Sequence, residues 1–254
     1  MPTSKQRRDA AHRKLERQLQ RRQELAAQRR RQTIIMSVIG AIVVVALGVW
    51  IVVANTEHDD ATAATAKCTY VADSTSQGGP GVPTDTTPSN TGKIKLKVAT
   101  TQGNMVFTLD RSLAPCAVNS WDHLVTAGFF SNSPCHRLTT STLKVLQCGD
   151  PTGTGTGGPG YTFDEEKPTK SDPYPKGAIA MANSGSQGTT GSQFFICYES
   201  CSDALSNDYS LVGSVTSGLD VVQKVADAGS DNSNGTGDGK PNLPITITSI
   251  TKAS

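Results

Sequence analysis

Ala180-Met-Ala-Asn-Ser-Gly-Ser-Gln-Gly-Thr-Thr-Gly-Ser-Gln-Phe-Phe-Ile196 is the stretch on which the reading of this chain turns. It begins apolar, passes through a polar Gly-rich loop, and ends on Gln193-Phe194-Phe195, which opens a strand. Neighbours on a strand face opposite sides, so Phe194 and Phe195 diverge, and one can pack a core while the other lines an outer pocket. Upstream, Cys135-His136-Arg137-Leu138 leads to Gln147-Cys148-Gly149-Asp150, and the same alternation separates His136 from Arg137. Taken singly, each residue has a plain explanation: Phe195 in a core, Arg137 as a surface charge, His136 as a hydrogen-bonded core histidine.

Around this stretch the pattern is mainly β. KIKLKVATTQGNMVFTL from Lys93 alternates polar and apolar residues across a Thr-Gln-Gly-Asn turn, as a hairpin does. Short strands fit 134–138, 144–148, 177–182, 193–198 and 209–215, with a closing strand from Pro244. Pro115–Gly128 reads as a helix with Pro in its first turn and Gly as its stop, and Leu219–Ala228 as a second. Many short strands, two helices and Gly-rich turns predict a β-barrel or sandwich with two capping helices.

The overall charge of +2 over 254 residues hides an asymmetry. Residues 1–33 hold eleven Lys/Arg against three acids, so the remainder is acidic. Ile34–Ala54 is a run of 21 uncharged residues, enough to cross a hydrocarbon core. The run is too long for a signal peptide, and its charged flanks do not suit a buried core helix, so a transmembrane helix is expected. Basic residues stay cytoplasmic, which puts the N-terminus inside and residues 55–254 outside. All six cysteines follow the span, an even number on the oxidising side, and disulfides are expected there without the pairing being readable. The expected organisation is a basic cytoplasmic segment at 1–33, the span at 34–54, a polar Gly/Pro/Ser/Thr-rich tether at 55–92, and a folded domain at 93–254.

Several chemistries drop out. Gly153, Gly155 and Gly158 match G-x-G-x-x-G, but Pro159-Gly160 follows and no helix can start there, so a nucleotide loop is excluded. There is no G-x-S-x-G elbow and no H-E-x-x-H motif. Cys197 and Cys201 lack the second ligand pair of a zinc site. No metal, no cofactor and no nucleic-acid partner are expected.

Taken together, CHRLTTSTLKVLQCGD, GGPGY, FDEE and MANSGSQGTTGSQFFI resemble the cyclophilin family of peptidyl-prolyl cis/trans isomerases. The resemblance covers about residues 93–252 and implies a closed eight-stranded antiparallel β-barrel capped by two helices. It also implies that Arg137 is the catalytic arginine and that Gln147, Ala182, Asn183 and Gln193 hold the substrate backbone. Phe195 would floor the proline pocket, Leu205 would form its side wall, and Tyr209 would close it. The implied activity is rotation about X-Pro bonds in proline-containing peptides, assisting the folding of exported client proteins. The alternative is a catalytically weak module that binds such peptides. Compared with the family pattern, two extra residues lie between Arg137 and Gln147, and one between Gly185 and Gly191. Cys135 replaces a phenylalanine, and something in Leu143-Lys144-Val145 replaces a pocket aromatic. Ala204 stands where a Trp often meets cyclosporin, so weak cyclosporin binding is expected.

Overall fold

The structure is a computed structural model that describes residues 64–73 and 79–253. These fall in the second of two compact units, Ala63–Ser254. The basic segment and the expected transmembrane helix at 34–54 lie outside the described residues. Among the described residues no helix is long and apolar enough to cross a membrane.

The alternating segment from Lys93 folds as read. Strands β2 (Lys93–Thr100) and β3 (Gly103–Asp110) form a hairpin in which Thr100 faces Gly103. Met105, Phe107 and Leu109 point inward and are buried, while the residues between them are not. The remaining strands are β4 (Ser133–Pro134), β5 (Arg137–Thr139), β6 (Val145–Cys148), β7 (Tyr161–Phe163), β8 (Ala178–Met181), β9 (Phe194–Cys197), β10 (Leu211–Ser217), β11 (Asp238–Gly239) and β12 (Thr246–Lys252). Ten strands make one antiparallel sheet in the order β11-β5-β6-β9-β8-β10-β3-β2-β12-β4.

That order corrects the closed eight-stranded barrel. The stretch 134–138 is not one strand but two pieces, β4 and β5, with only Cys135 and His136 between them. The pieces lie near opposite ends of the sheet, because β4 pairs with β12 while β5 pairs with β6 and β11. Two residues cannot span a flat ten-stranded sheet, so it must curl until its ends approach. No ladder joins β4 to β11 among the described residues, and a seam stays open. The break falls at Cys135 because its N–H turns to the Ile245 carbonyl (3.0 Å) and its sulfur to Cys148.

The curled sheet encloses a core of Leu96, Phe107, Leu138, Leu146, Phe194 and Val212, covered at its ends by two helices. Helix α1 (Pro115–Thr126) contributes Trp121 and Leu124, and α2 (Leu219–Asp227) contributes Val222 and Val225. Pro115 starts α1 without a side-chain cap from Ala114. Glu166 supplies one from afar, accepting the Cys116 and Ala117 N–H groups at 3.0 and 2.8 Å.

Part of the segment expected as a tether is folded. Strand β1 (Tyr70–Ala72) pairs with β7, and Cys68 is bonded to Cys116 on α1. Residues 85–88 line this strap: Ala66 and Cys68 donate to the Pro88 and Thr86 carbonyls. The described parts of 55–92 therefore belong to the domain. Their polar, Pro-rich composition concealed it, because the hold comes from hydrogen bonds, a disulfide and one aromatic ring, Tyr70, packed edge-on against Tyr161 and Phe163. All six cysteines are paired, the third bridge being Cys197–Cys201.

Candidate active site

Strands β6, β8 and β9 are buried on both faces, which produces two apolar clusters. Leu146, Ile179, Met181, Phe194 and Ile196 face the main core. Val145, Ala178, Ala180, Phe195 and Cys197 face outward into a second cluster with Tyr174 and Leu211. Register places Arg137 opposite Gln147, Gln147 opposite Phe195, and Phe195 opposite Ala180. Directly opposed residues share a face, so one row crosses four strands on the outer side.

Arg137 stands at the seam end of that row. Its Nη1 donates to Gln147 Oε1 at 3.2 Å. Its Nε and Nη2 donate to the two carboxylate oxygens of Asp238 at 2.9 and 2.6 Å. The hydrogen bonds to this carboxylate raise the arginine pKa and hold that of Asp238 below its usual range. Gln147 passes the order on, its Nε2 donating to Gln193 Oε1 at 2.9 Å. The Gln193 amide in turn donates to the Gly155 and Gly157 carbonyls at 2.9 and 3.0 Å.

The Gly-rich loop is thus a wall of the site, and buried Asp150 shapes it. Its carboxylate accepts from the N–H groups of Thr152, Thr154, Gly155 and Gly157 and from the Thr152 hydroxyl. Desolvation by burial opposes ionisation, but these donors together outweigh it and hold the pKa below the usual carboxylate range. Gly149 just before it has φ +93, and a Cβ there would strike the Ser192 carbonyl, so only glycine fits.

Phe195 sits at the centre of the outer cluster, with Tyr209 edge-on at 5.5 Å and Tyr174 at 6.4 Å. Leu205 packs against the same cluster, and its N–H donates to the Cys201 carbonyl, so the Cys197–Cys201 bridge fixes its loop to β9. Val145 belongs to this cluster and Leu143 packs against it. Lys144 turns away, its ammonium donating to the Thr140 carbonyl.

Among the described residues most of the expected site residues are spread over three neighbouring clefts. Gln147, Ala182, Asn183 and Gln193 line a cleft of about 430 Å³ together with the 155–159 loop. Arg137 opens into an adjoining cleft of about 270 Å³, which shares Gln147 and Gly155 with the first. Tyr209 and Asn183 border another of about 370 Å³. Phe195 lines none of these three, being only 5% exposed under its aromatic neighbours. The Asn183 side chain is engaged internally, donating to the Asp208 carbonyl and accepting from the Gly185 N–H. Both ring nitrogens of His136 are buried and neither meets strict hydrogen-bond geometry, while the Gln193 side chain lies close enough to interact with the ring. Burial pushes its pKa down, which keeps it neutral. Asp238 was not legible in the sequence as part of this site, since it lies in a Gly-rich turn 101 residues from Arg137.

Comparison with known proteins identifies the family. The family model for cyclophilin type peptidyl-prolyl cis-trans isomerase/CLD matches residues 95–252. The chain is 43% identical over 176 residues to the probable peptidyl-prolyl cis-trans isomerase B of Mycobacterium tuberculosis, covering 64% of this chain and 56% of that protein. It is 38% identical over 125 residues to peptidyl-prolyl cis-trans isomerase B of Bacillus subtilis, covering 49% of this chain and 85% of that protein. A crystal structure of a Cryptosporidium parvum cyclophilin type isomerase superposes with a TM-score of 0.57 at 30% identity, over 64% of this chain and 99% of that one. The same protein crystallised in the presence of the dipeptide Ala-Pro gives 0.56 at 31% identity, over 63% of this chain and 99% of that one. The chain belongs to the cyclophilin-type peptidyl-prolyl cis-trans isomerase family. It spans little more than half the length of the mycobacterial relatives it matches.

Proposed function

We propose that the domain accelerates cis/trans rotation of X-Pro bonds in proline-containing peptides. The observation that carries this is the outer row, in which a fixed arginine stands beside an amide and an aromatic ring on one strand face. Rotation about an X-Pro bond meets a barrier of ~18–20 kcal/mol set by amide resonance, and it needs neither nucleophile nor proton transfer. A site must instead bind the twisted amide better than the planar one. Half-buried Leu205, Leu143 and Tyr209 provide apolar surface for the proline ring, and Phe195 supports them from beneath. Arg137 donates to the prolyl nitrogen as that atom becomes pyramidal and its lone pair localises. The cleft of Gln147, Ala182 and Asn183 receives the flanking peptide, and Gln193 acts mainly by holding Gln147 and the glycine loop in place.

The buried state of Phe195 favours a second reading, a module that holds proline segments with little turnover. A protease-coupled assay with an X-Pro tetrapeptide, run on the full chain in detergent, separates the two. Catalysed isomerisation is expected; peptide binding without acceleration would favour the second reading.

The domain is further proposed to face the outside of a cell membrane, anchored by 34–54, and to assist the folding of exported proteins. Three disulfides support an oxidising compartment. Protease added to intact cells should remove the C-terminal domain and leave the first 33 residues protected; a protected domain would reverse the orientation. Ala204 offers little surface to a bulky ligand, so cyclosporin is proposed to bind weakly.

A further inference from the structure

Arg137 leaves β5 at the open seam, and its guanidinium plane is set by a residue distant in sequence. Asp238 engages Nε and Nη2 together, a fork that fixes both the plane and its rotation, which a single acceptor does not. Gln147 takes Nη1, so three of the five N–H donors are engaged and two remain. The carboxylate is itself held. Asn234 Nδ2 donates to Oδ1 at 3.2 Å, the Asp238 N–H goes to the Gly235 carbonyl at 2.9 Å, and β11 pairs with β5. Gly239 beside it is pressed against Asp231 and the 232–233 backbone, where a Cβ would collide.

We propose that Asp238 is a positioning residue of the isomerase, acting through Arg137 by holding its remaining donors ready for the twisted prolyl amide. This rests on the isomerase reading above. Two effects compete. The carboxylate orients the guanidinium, which saves reorganisation in the transition state. It also offsets the positive charge, which weakens the bond to substrate. The side chains of Arg137 and Asp238 are 36% and 25% exposed, so solvent screens the charge effect. Orientation is not screened, and the positioning effect wins.

The test compares Asp238→Ala, Asp238→Asn and Asp231→Ala with wild type in the full chain. Asp238→Ala should lower kcat about tenfold with KM within about twofold, the signature of a transition-state effect. Asp238→Asn keeps one acceptor for the guanidinium and should recover part of the loss. Asp231 braces the same turn through Ser233 and Lys240 without touching Arg137. Its alanine variant should lower Tm yet keep kcat. NMR of the arginine side chains should show a slowly exchanging Arg137 Nε–H in wild type that is lost in Asp238→Ala. An Asp238→Ala enzyme with wild-type kcat, or an equal loss in Asp231→Ala, would overturn the proposal while the isomerase reading stands. A wild type without turnover would overturn both.

Discussion

Replacing Arg137 with alanine removes three hydrogen bonds in the ground state and, in the proposed mechanism, one more that exists only in the twisted state. The two losses have different sizes. A preorganised donor aimed at developing charge is worth about 3 kcal/mol, or roughly a hundredfold in kcat/KM. The ground-state loss is smaller: Asp238 keeps Asn234 as a partner and stays partly exposed, so its orphaned carboxylate costs about 1–2 kcal/mol of stability. Adding Asp238→Ala to Arg137→Ala should return part of that stability and none of the turnover. Protease-coupled kinetics, peptide affinity by NMR titration and thermal melts on the two variants separate these quantities. Peptide affinity should fall by less than about threefold, because the bond at stake forms only in the transition state. If Arg137→Ala retains near-normal catalytic efficiency in a folded protein, the arginine does not stabilise the twisted amide and the mechanism is wrong.

Phe195→Ala should behave differently, costing about 3 kcal/mol in thermal or urea unfolding because the ring is buried beneath Tyr209 and Tyr174, and weakening peptide binding along with turnover because Leu205 and Tyr209 rest on its cluster. Replacing both Cys68 and Cys116 with serine opens a link spanning 48 residues and should lower stability by about 4 kcal/mol on the chain-entropy account, read as a fall in Tm. Acid should destabilise the domain. Asp150 and Asp238 have folded pKa values below the ordinary 3.8, so their contribution is present above that value and lost as pH falls through the folded pKa values. Glu166 works in the opposite sense: burial raises its pKa, so folding takes up a proton near the ordinary 4.5 and acid favours the folded state there. Melts should therefore show a Tm that falls steeply only below about pH 4, and an Asp150→Asn variant should flatten that fall.

Much of this was legible because strands write their two faces into a period of two. Phe194 and Phe195 could be assigned to opposite sides from spacing alone, and the structure sends one to the inner core and the other to the outer cluster. The hairpin from Lys93 and both helices were legible for the same reason, in that local pattern and local fold agree. What stayed hidden is non-local. Nothing between residues 133 and 139 announces that the chain steps from one end of a ten-stranded sheet toward the other, since that follows from curvature accumulated over all the other strands. The Asp238 fork was invisible because a single acid in a Gly-rich turn has the composition of any solvent-facing loop. The strap at 64–73 was hidden by polarity, for its hold on the domain is a disulfide, a short strand and the single ring of Tyr70.

The open seam bears on what the proposed activity would demand of the sheet's edges. An isomerase acting on unfolded chains would work among extended segments, each able to add itself to any sheet edge with unpaired N–H and C=O groups. The ten-stranded sheet here ends in β4 and β11, two residues apiece, and β4 contains Pro134, which has no N–H to offer. An extended strand would therefore find little to template on at either edge. If the domain does act on unfolded chains as proposed, lengthening either edge strand, not altering the site, is the change that would invite their aggregation on it.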